Sequence, residues 1–320
     1  MRHSILFLTL AILLVTCMYA NETDLIPKEV LKVPYSDFNK FRAESFFVDG
    51  DSVYFCDFNN QVVDEYSISK AVFLNKFSNI FPGYSSTPIF VVKDDNIFTF
   101  TSPSLYVYNK NSRLFRKVKY VSESKRFLID ALDASNMFIV DNKVELFSRS
   151  GKSKFKVWDN GSIIDPINLK KENGYKINDL LSFTWSYKDK VEIELYDKSK
   201  KDVNIIEIPL VGEIYYLGAK NDILYFSRRE RKYSNINEVR DTVILYSLLE
   251  RKIVKTIEVP QIYYLPLRRN FVLSNGILYF LMSAEDGLYL FKFEETRQKN
   301  YINPFDKFKY KIDPPIKIEK

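Results

Sequence analysis

Six times along this chain an aromatic-centred stretch of alternating residues is followed, about a dozen residues later, by a second one. The first members are SVYFCDF, NIFTFTS, NMFIVDN, LSFTWSY, DILYFSR and GILYFLM. The second are VDEYSIS, LYVYNKN, VELFSRS, IELYDKS, ILYSLLE and LYLFKFE. The central aromatics of the second set are Tyr66, Tyr108, Phe147, Tyr196, Tyr246 and Phe291, which advance by a mean of 45 residues. A fixed period of that length, carried by strands without helices between them, is the mark of propeller blades. The repeat therefore predicts an all-β fold, a six-bladed β-propeller with four-stranded antiparallel blades. The blades fall at about 42–82, 87–121, 126–158, 162–210, 213–260 and 261–298.

Alternation within the strands supports this. In DSVYFCDF, Val53, Phe55 and Asp57 face one way and Tyr54, Cys56 and Phe58 the other. Strands apolar on both faces suit blades, each packed against a neighbour on either side. The turns use Asn and Asp with Ser or Lys, as in Lys93-Asp94-Asp95-Asn96 and Asn221-Asp222. These residues tolerate the left-handed backbone of tight turns, which suits a chain with nine glycines. Closure of the ring also leaves a trace. Residues 28–34, KEVLKVP, are similar to 254–260, VKTIEVP, an outer strand, so the N-terminus is expected to supply the last blade's outer strand. The rival closer is C-terminal, FDKFKYKI at 305–312.

The domain plan is an export signal, a propeller over 28–298 and a C-terminal strand or tail over 299–320. Arg2 followed by the apolar run Ile5 to Val15 reads as a signal peptide rather than a permanent span. Two processing sites stay open. One is cleavage after Ala20; the other makes Cys17 a lipidated first residue after a signal of 1–16, because Leu14-Val15-Thr16-Cys17 resembles a relaxed lipobox. Either places the protein outside the cytoplasm, in the periplasm, at the outer membrane or cell surface, or in the medium. Its membrane contact is then limited to that lipid or to an uncleaved signal. After processing at Ala20 one cysteine remains, Cys56, which has no internal disulfide partner and reads as a buried small hydrophobe.

Histidine gives the sharpest exclusion. The only one is His3, inside the signal, which removes Ser-His-Asp and Cys-His chemistry and imidazole-bound metals. No metal or cofactor motif is present. The net charge of +6 is concentrated in residues 297–320, where seven basic residues meet three acidic ones. A near-neutral body with a basic tail is not a nucleic-acid footprint.

One candidate site departs from the repeat. The paired aromatics are separated by 12, 10, 9, 13, 21 and 12 residues, and the fifth gap contains RRERKYSNINEVRD. Its Arg228, Arg229, Arg231, Lys232, Tyr233 and Arg240 form a candidate docking loop for an acidic protein or glycan of the cell envelope. The plainer reading is a long solvated hairpin whose basic residues pair with Glu230, Glu238 and Asp241. Glu192 with Glu194, and Glu294 with Glu295, are the carboxylate pairs a glycan-active enzyme would need, but no flanking motif accompanies them. Trp158 and Trp185, with the many Phe and Tyr, read as core rather than as a sugar-stacking surface.

Repeats such as FFVDGDSVYFCDFNNQVVDEYSISKAVFLNKF, with strands ending in YSISK or YDKSK, resemble the exported six-bladed propellers of bacterial envelopes and lipoproteins. The likeness covers about 28–298 and is one of architecture, so it implies no functional residue. Together these readings describe a monomeric, exported, non-catalytic binding or scaffold module. The alternatives are a carboxylate-dependent glycan-active enzyme on the same scaffold and a structural envelope protein without a ligand.

Overall fold

The computed structural model describes residues 24–34, 43–82, 89–101, 104–120, 134–140, 143–148, 153–157, 162–163, 167–168, 175–176, 181–187, 191–208, 213–231, 239–259, 269–284, 286–296 and 301–308. The signal, the lipidation candidate Cys17, Trp158, and Lys232 and Tyr233 lie outside the described residues. All but one of the elements among the described residues are strands, beginning with β1 (Asp24–Pro34). Sheet I holds β2 (Ser45–Asp49), β3 (Ser52–Asp57), β4 (Val62–Ser67) and β5 (Val72–Ser78). Sheet II holds β6 (Ile89–Lys93), β7 (Asn96–Thr101), β8 (Ser104–Asn109) and β9 (Leu114–Lys117). Sheet III gathers β10 (Lys119–Tyr120), β11 (Ala134–Val140), β12 (Lys143–Ser148), β13 (Ser153–Val157), β14 (Ser162–Ile163) and β15 (Ile167–Asn168). Sheet IV holds β16 (Tyr175–Lys176), β17 (Leu181–Tyr187), β18 (Val191–Asp197) and β19 (Asp202–Ile208). Sheet V holds β20 (Glu213–Lys220), β21 (Ile223–Arg231), β22 (Val239–Ser247) and β23 (Lys252–Glu258). Sheet VI joins β24 (Phe271–Ser274), β25 (Ile277–Ala284) and β26 (Gly287–Thr296) to β1.

These sheets, four-stranded and antiparallel except for sheet III, stand in a propeller-like ring. First strands form its inner wall: β2 lies between β6 and β24, β6 beside β11, and β24 beside β20. The core sits between sheets. Val53 and Phe55 pack with Leu281 and Leu290 of sheet VI, whereas Tyr54, Cys56 and Phe58 pack with Val92, Ile97 and Tyr108 of sheet II. That two-sided burial is the alternation read from DSVYFCDF, and it explains why middle strands are apolar on both faces. Outer strands show the opposite: β5 and β9 are almost wholly exposed, with Phe73 and Leu114 facing solvent.

The recurring YSISK-type endings have a specific job. Ser67, Asn109, Asp197 and Ser247 close their third strands, and each side chain accepts backbone N–H groups of the turn that follows. Ser67, Asn109 and Ser247 also reach back to the first hairpin of their own sheet, at Asp51, Asn96 and Asp222. One polar side chain thus pins two turns in each of sheets I, II and V. Each of these turns then needs a left-handed residue, supplied by Ala71, Arg113, Lys201 and Arg251. In the first hairpins the left-handed residues are Asp94 in sheet II, Asn221 in sheet V, Gly50 in sheet I, and Asn275 with Gly276 in sheet VI, so Asx residues share this role with glycine.

The N-terminus closes the ring. β1 runs antiparallel to β26 from Asp24 opposite Thr296 to Pro34 opposite Gly287, with a bulge at Glu29 and Leu31, and buries Leu31 and Val33. Gly287 is required there, because a side chain would collide with the Val33 carbonyl and its φ is +156°. The C-terminal rival does not form a strand over its described part. Pro304–Phe308 is a 3-10 helix whose Phe305 and Phe308 wedge against Phe291 and Tyr289. Lys307 pairs with Glu29 of β1, so this helix braces the latch rather than replacing it.

One blade departs from uniform four-stranded antiparallel architecture. Sheet III has six strands, and β10 pairs with β14 in parallel. NMFIVDN, read as a second strand, is instead β11, the edge strand beside β6. Only Asp141 and Asn142 separate β11 from β12, a spacing that joins first to second strands in sheets I, II, V and VI and also second to third strands in sheets II and VI. Aromatic content alone does not separate the two kinds of hairpin. In sheet IV the first strand β16 is two residues long, and Phe138 of β11 meets Tyr216 of β20, ring centroids 5.7 Å apart.

Candidate functional site

The inner strands of sheets I, II, III, V and VI enclose a cavity of about 330 Å³ along the ring axis. Its lining mixes Phe47, Phe90, Phe138, Tyr215 and Phe271, contributed by five sheets, with Ser45, Ser227 and Ser274. Polar groups gather at its two ends. One end carries Asp49, Lys93, Asp94 and Asn275, where Lys93 pairs with Asp94 at 2.8 Å. The other carries Arg228, Arg229, Asp241, Arg269 and Asn270.

That second end is built by chain geometry. β21 and β22 pair over nine residues each, from Ile223 opposite Ser247 to Arg231 opposite Val239. Much of the long fifth connection is therefore strand rather than loop, and the strands carry Arg228, Arg229 and Asp241 to the cavity rim. Arg229 grips Asp241 with both arms of its fork, Nε to Oδ1 at 2.8 Å and Nη2 to Oδ2 at 3.1 Å. Asn270, entering from sheet VI, donates to the same Oδ2 at 2.7 Å. Arg228 donates from Nε to Thr242 Oγ1 at 3.3 Å. Bidentate pairing of a nearly buried carboxylate fixes both partners more firmly than a surface ion pair would.

Arg269 stands just before β24, its backbone N–H donating to the Glu44 carbonyl at 3.4 Å. Burial pushes its guanidinium down to about 10, with the nearby Tyr215 acting in the opposite sense. Even so lowered, it stays charged at neutral pH. Arg228, Arg229, Arg269 and the carboxylate of Asp241 thus share one end of the cavity.

Of the six residues singled out in the sequence, Arg228 and Arg229 line this cavity. Arg231 and Arg240 are placed in β21 and β22 by their backbone, Arg240 opposite Glu230. The pairing of Arg229 with Asp241 is the one the plainer hairpin reading required. Sequence reasoning missed Arg269, Asn270 and Tyr215. The adjacent arginines of LRRN, directly before a predicted first strand, were the available signal.

The carboxylate pairs sit elsewhere. Glu192 and Glu194 lie on β18, opposite Glu207 and Ile205. Glu294 bonds Lys292 at 2.6 Å and Glu295 bonds Lys220 at 3.1 Å, on sheet VI away from the cavity. The Lys292 ammonium holds Glu294 below its ordinary range, opposite to what a general acid needs. Cys56 is fully buried in the core between sheets I and II, and burial pushes its thiol well up, which makes it inert packing. No group of His, Cys, Asp and Glu among the described residues is arranged to hold a metal ion. No described helix is long and apolar enough to cross a membrane.

No family model matches the chain, and no curated protein does. Solved structures show similarity in shape. A member of the DUF4221 family from Bacteroides vulgatus is 11% identical with a TM-score of 0.49, over 87% of this chain and all of that one (100%). The Pan2 WD40 domain of Neurospora crassa is 10% identical with a TM-score of 0.47, over 87% of this chain and 97% of that domain. A functionally unknown protein from Desulfotomaculum acetoxidans is 12% identical with a TM-score of 0.44, over 78% and 86% of the two chains. No residue role is carried over from them.

Proposed function

We propose that this chain is an exported six-bladed propeller, each sheet counting as one blade, that binds rather than reacts. It uses the rim where β21 and β22 end to hold an acidic protein or glycan partner in the cell envelope. The observation that carries the reading is the nine-residue β21–β22 pairing, which brings Arg228 and Arg229 to the mouth of the axial cavity. A rigid ring that fixes guanidiniums at one rim suits recognition of carboxylate or sulfate groups, and requires no moving part. Export rests on the N-terminal signal pattern, and anchoring on lipidation of Cys17. The reading treats the protein as a monomer without cofactor.

Cross-linked capture from the native envelope tests it, comparing the intact chain with one whose residues 232–238 are shortened to a two-residue turn. Recovery of a discrete partner should drop at least tenfold in the shortened protein. Undiminished recovery removes the hairpin as the docking site. An envelope glycan cleaved by the protein, with cleavage lost on changing a cavity carboxylate, favours the enzyme instead. Palmitate labelling that persists in Cys17→Ala removes the anchor at Cys17.

A further inference from the structure

Outer strands are the exposed edges of the ring, and those of sheets I and II differ from the rest. Val72, Phe73 and Leu74 of β5 and Leu114 and Phe115 of β9 are all exposed, Leu114 at 70%. The two strands flank one groove. Phe77 of β5 meets Tyr108 of β8, ring centroids 6.0 Å apart, and Tyr108 lies opposite Phe115 in β9. Charge in these segments has one sign: residues 66–93 and 96–122 contain no Asp or Glu. The acids that precede them, Asp64 and Glu65, are buried in β4. Lys70, Arg113 and Lys117 are exposed and form no ion pair among the described residues. Apolar residues on other outer strands sit among balanced charges. Beside Ile253 and Val254 of β23, Lys252 pairs with Glu250 at 2.7 Å and Lys255 with Asp24 at 2.8 Å. Ile205 of β19 lies between Asp202 and Glu207. A lysine on an edge strand blocks pairing with another chain, a purpose that three adjacent exposed apolar residues do not serve.

The N-terminal side of the chain joins the ring at the same end. Ser67 and Asn109 bond to Asp51 and Asn96, so the turns leading into β5 and β9 lie at the first-hairpin end of their sheets. In sheet VI the first hairpin connects Ser274 to Ile277, and Asp24 of β1 lies at that end, opposite Thr296. Ser274 Oγ donates to the Val48 carbonyl at 2.7 Å, which sets the hairpin ends of sheets VI and I side by side. Either N-terminal tether, an uncleaved signal or a lipid on Cys17, would thus join at Asp24, one sheet from β5 and at the end where Lys70 and Arg113 sit. Exposed aromatic and aliphatic groups beside unpaired cations are what an interfacial membrane surface presents. The apolar groups enter the headgroup boundary, and the cations meet anionic lipid. We infer that the outer edges of sheets I and II are a contact surface for an anionic membrane. Phe73, Leu114 and Phe115 enter its interfacial layer, and Lys70, Arg113 and Lys117 meet its phosphates. The inference does not rest on the partner-binding reading above. The β21–β22 rim lies at the opposite end of sheet V from its first hairpin, so both surfaces can be occupied at once.

Vesicle flotation of the processed chain that starts at Asn21, which carries neither signal nor lipid, tests this. The vesicles are phosphatidylcholine alone, or phosphatidylcholine with about one-third phosphatidylglycerol. Partition to the anionic vesicles should exceed that to the neutral ones by about tenfold or more, and fall as salt is added. Arg113→Gln combined with Lys117→Gln should weaken it about thirtyfold, at about 1 kcal/mol for each cation removed. Both positions are exposed, and the unfolding midpoint of the double variant checks that the fold is kept. An environment-sensitive fluorophore on Leu114→Cys locates the contact, because Cys56 is buried and stays unlabelled. The label at position 114 should brighten on anionic vesicles, and one on Leu249→Cys, in the exposed β22–β23 turn of sheet V, should not. No partition to anionic vesicles, equal partition to neutral ones, full partition of the double variant, or an equal response at position 249 overturns the proposal. So does a concentration-dependent dimer in sedimentation that Leu114→Ser abolishes, with no vesicle binding, which makes the edge an interface between copies.

Discussion

Asp64 should be a carboxylate that the folded protein would be better without. It lies in the middle of β4, opposite Phe55 on one side and Lys76 on the other, and is only 5% exposed. Its Oδ1 has no hydrogen-bond partner among the described residues. Burial raises its carboxyl to about 6, Lys76 opposes that, and Asp57 adds to it. Against an ordinary value of 3.8 the difference is about two units, and each is worth about 1.4 kcal/mol. Because the folded state holds this proton more tightly than the unfolded chain, Asp64 costs nothing below about pH 3.8. Its penalty grows as pH rises through the window between 3.8 and about 6, and is complete above it.

Asp64→Asn keeps the shape and removes the titration. Urea unfolding near pH 7.5 should show the variant about 3 kcal/mol more stable than the parent. Near pH 5 the gain should be roughly half that, and near pH 3 close to zero. A gain independent of pH, or a variant less stable at neutral pH, would refute the claim that desolvation of a carboxylate governs this position.

The ring latch and the blade turns make further predictions. Gly287→Ala should destabilise the protein by about 3 kcal/mol, because a side chain at φ +156° meets the β1 backbone. Hydrogen exchange should then show residues 24–34 losing protection ahead of the rest, and unchanged protection there would contradict the latch. Arg113→Gly should stabilise by up to about 1 kcal/mol by relieving a left-handed residue, as read from the denaturation midpoint. Asn109→Ala should cost about 1 kcal/mol in the same assay, since it removes the acceptor of two turn N–H groups.

How far the fold was legible differs from sheet to sheet. Sheets I, II, V and VI followed from the sequence because their middle strands are buried on both faces and carry apolar or aromatic residues on both, β4 with its buried Asp64 and Glu65 being the least regular. The N-terminal latch was also legible, since an outer strand closing a blade needs the alternation that KEVLKVP shares with VKTIEVP. Sheet III misled because an aromatic hairpin looks the same whether it holds a first or a second strand. The left-handed Ala71, Arg113, Lys201 and Arg251 were invisible, because their conformation is imposed by the preceding Ser, Asn or Asp side chain rather than by their own chemistry. The site was half legible. Its fifth-blade arginines stood out as an interruption of the repeat. Arg269 and Asn270 did not, because they precede β24 and only the packing of sheet VI beside sheet V brings Asn270 to Asp241.

Photo-cross-linking in the native envelope tests the central claim most directly, with one photoreactive residue placed at 235 in the hairpin and another at Gly50 on the opposite rim. Binding through the β21–β22 rim predicts a discrete cross-linked partner from position 235, weakened by added salt, and none from position 50. A partner captured from position 50 alone, or equally from both, would contradict it.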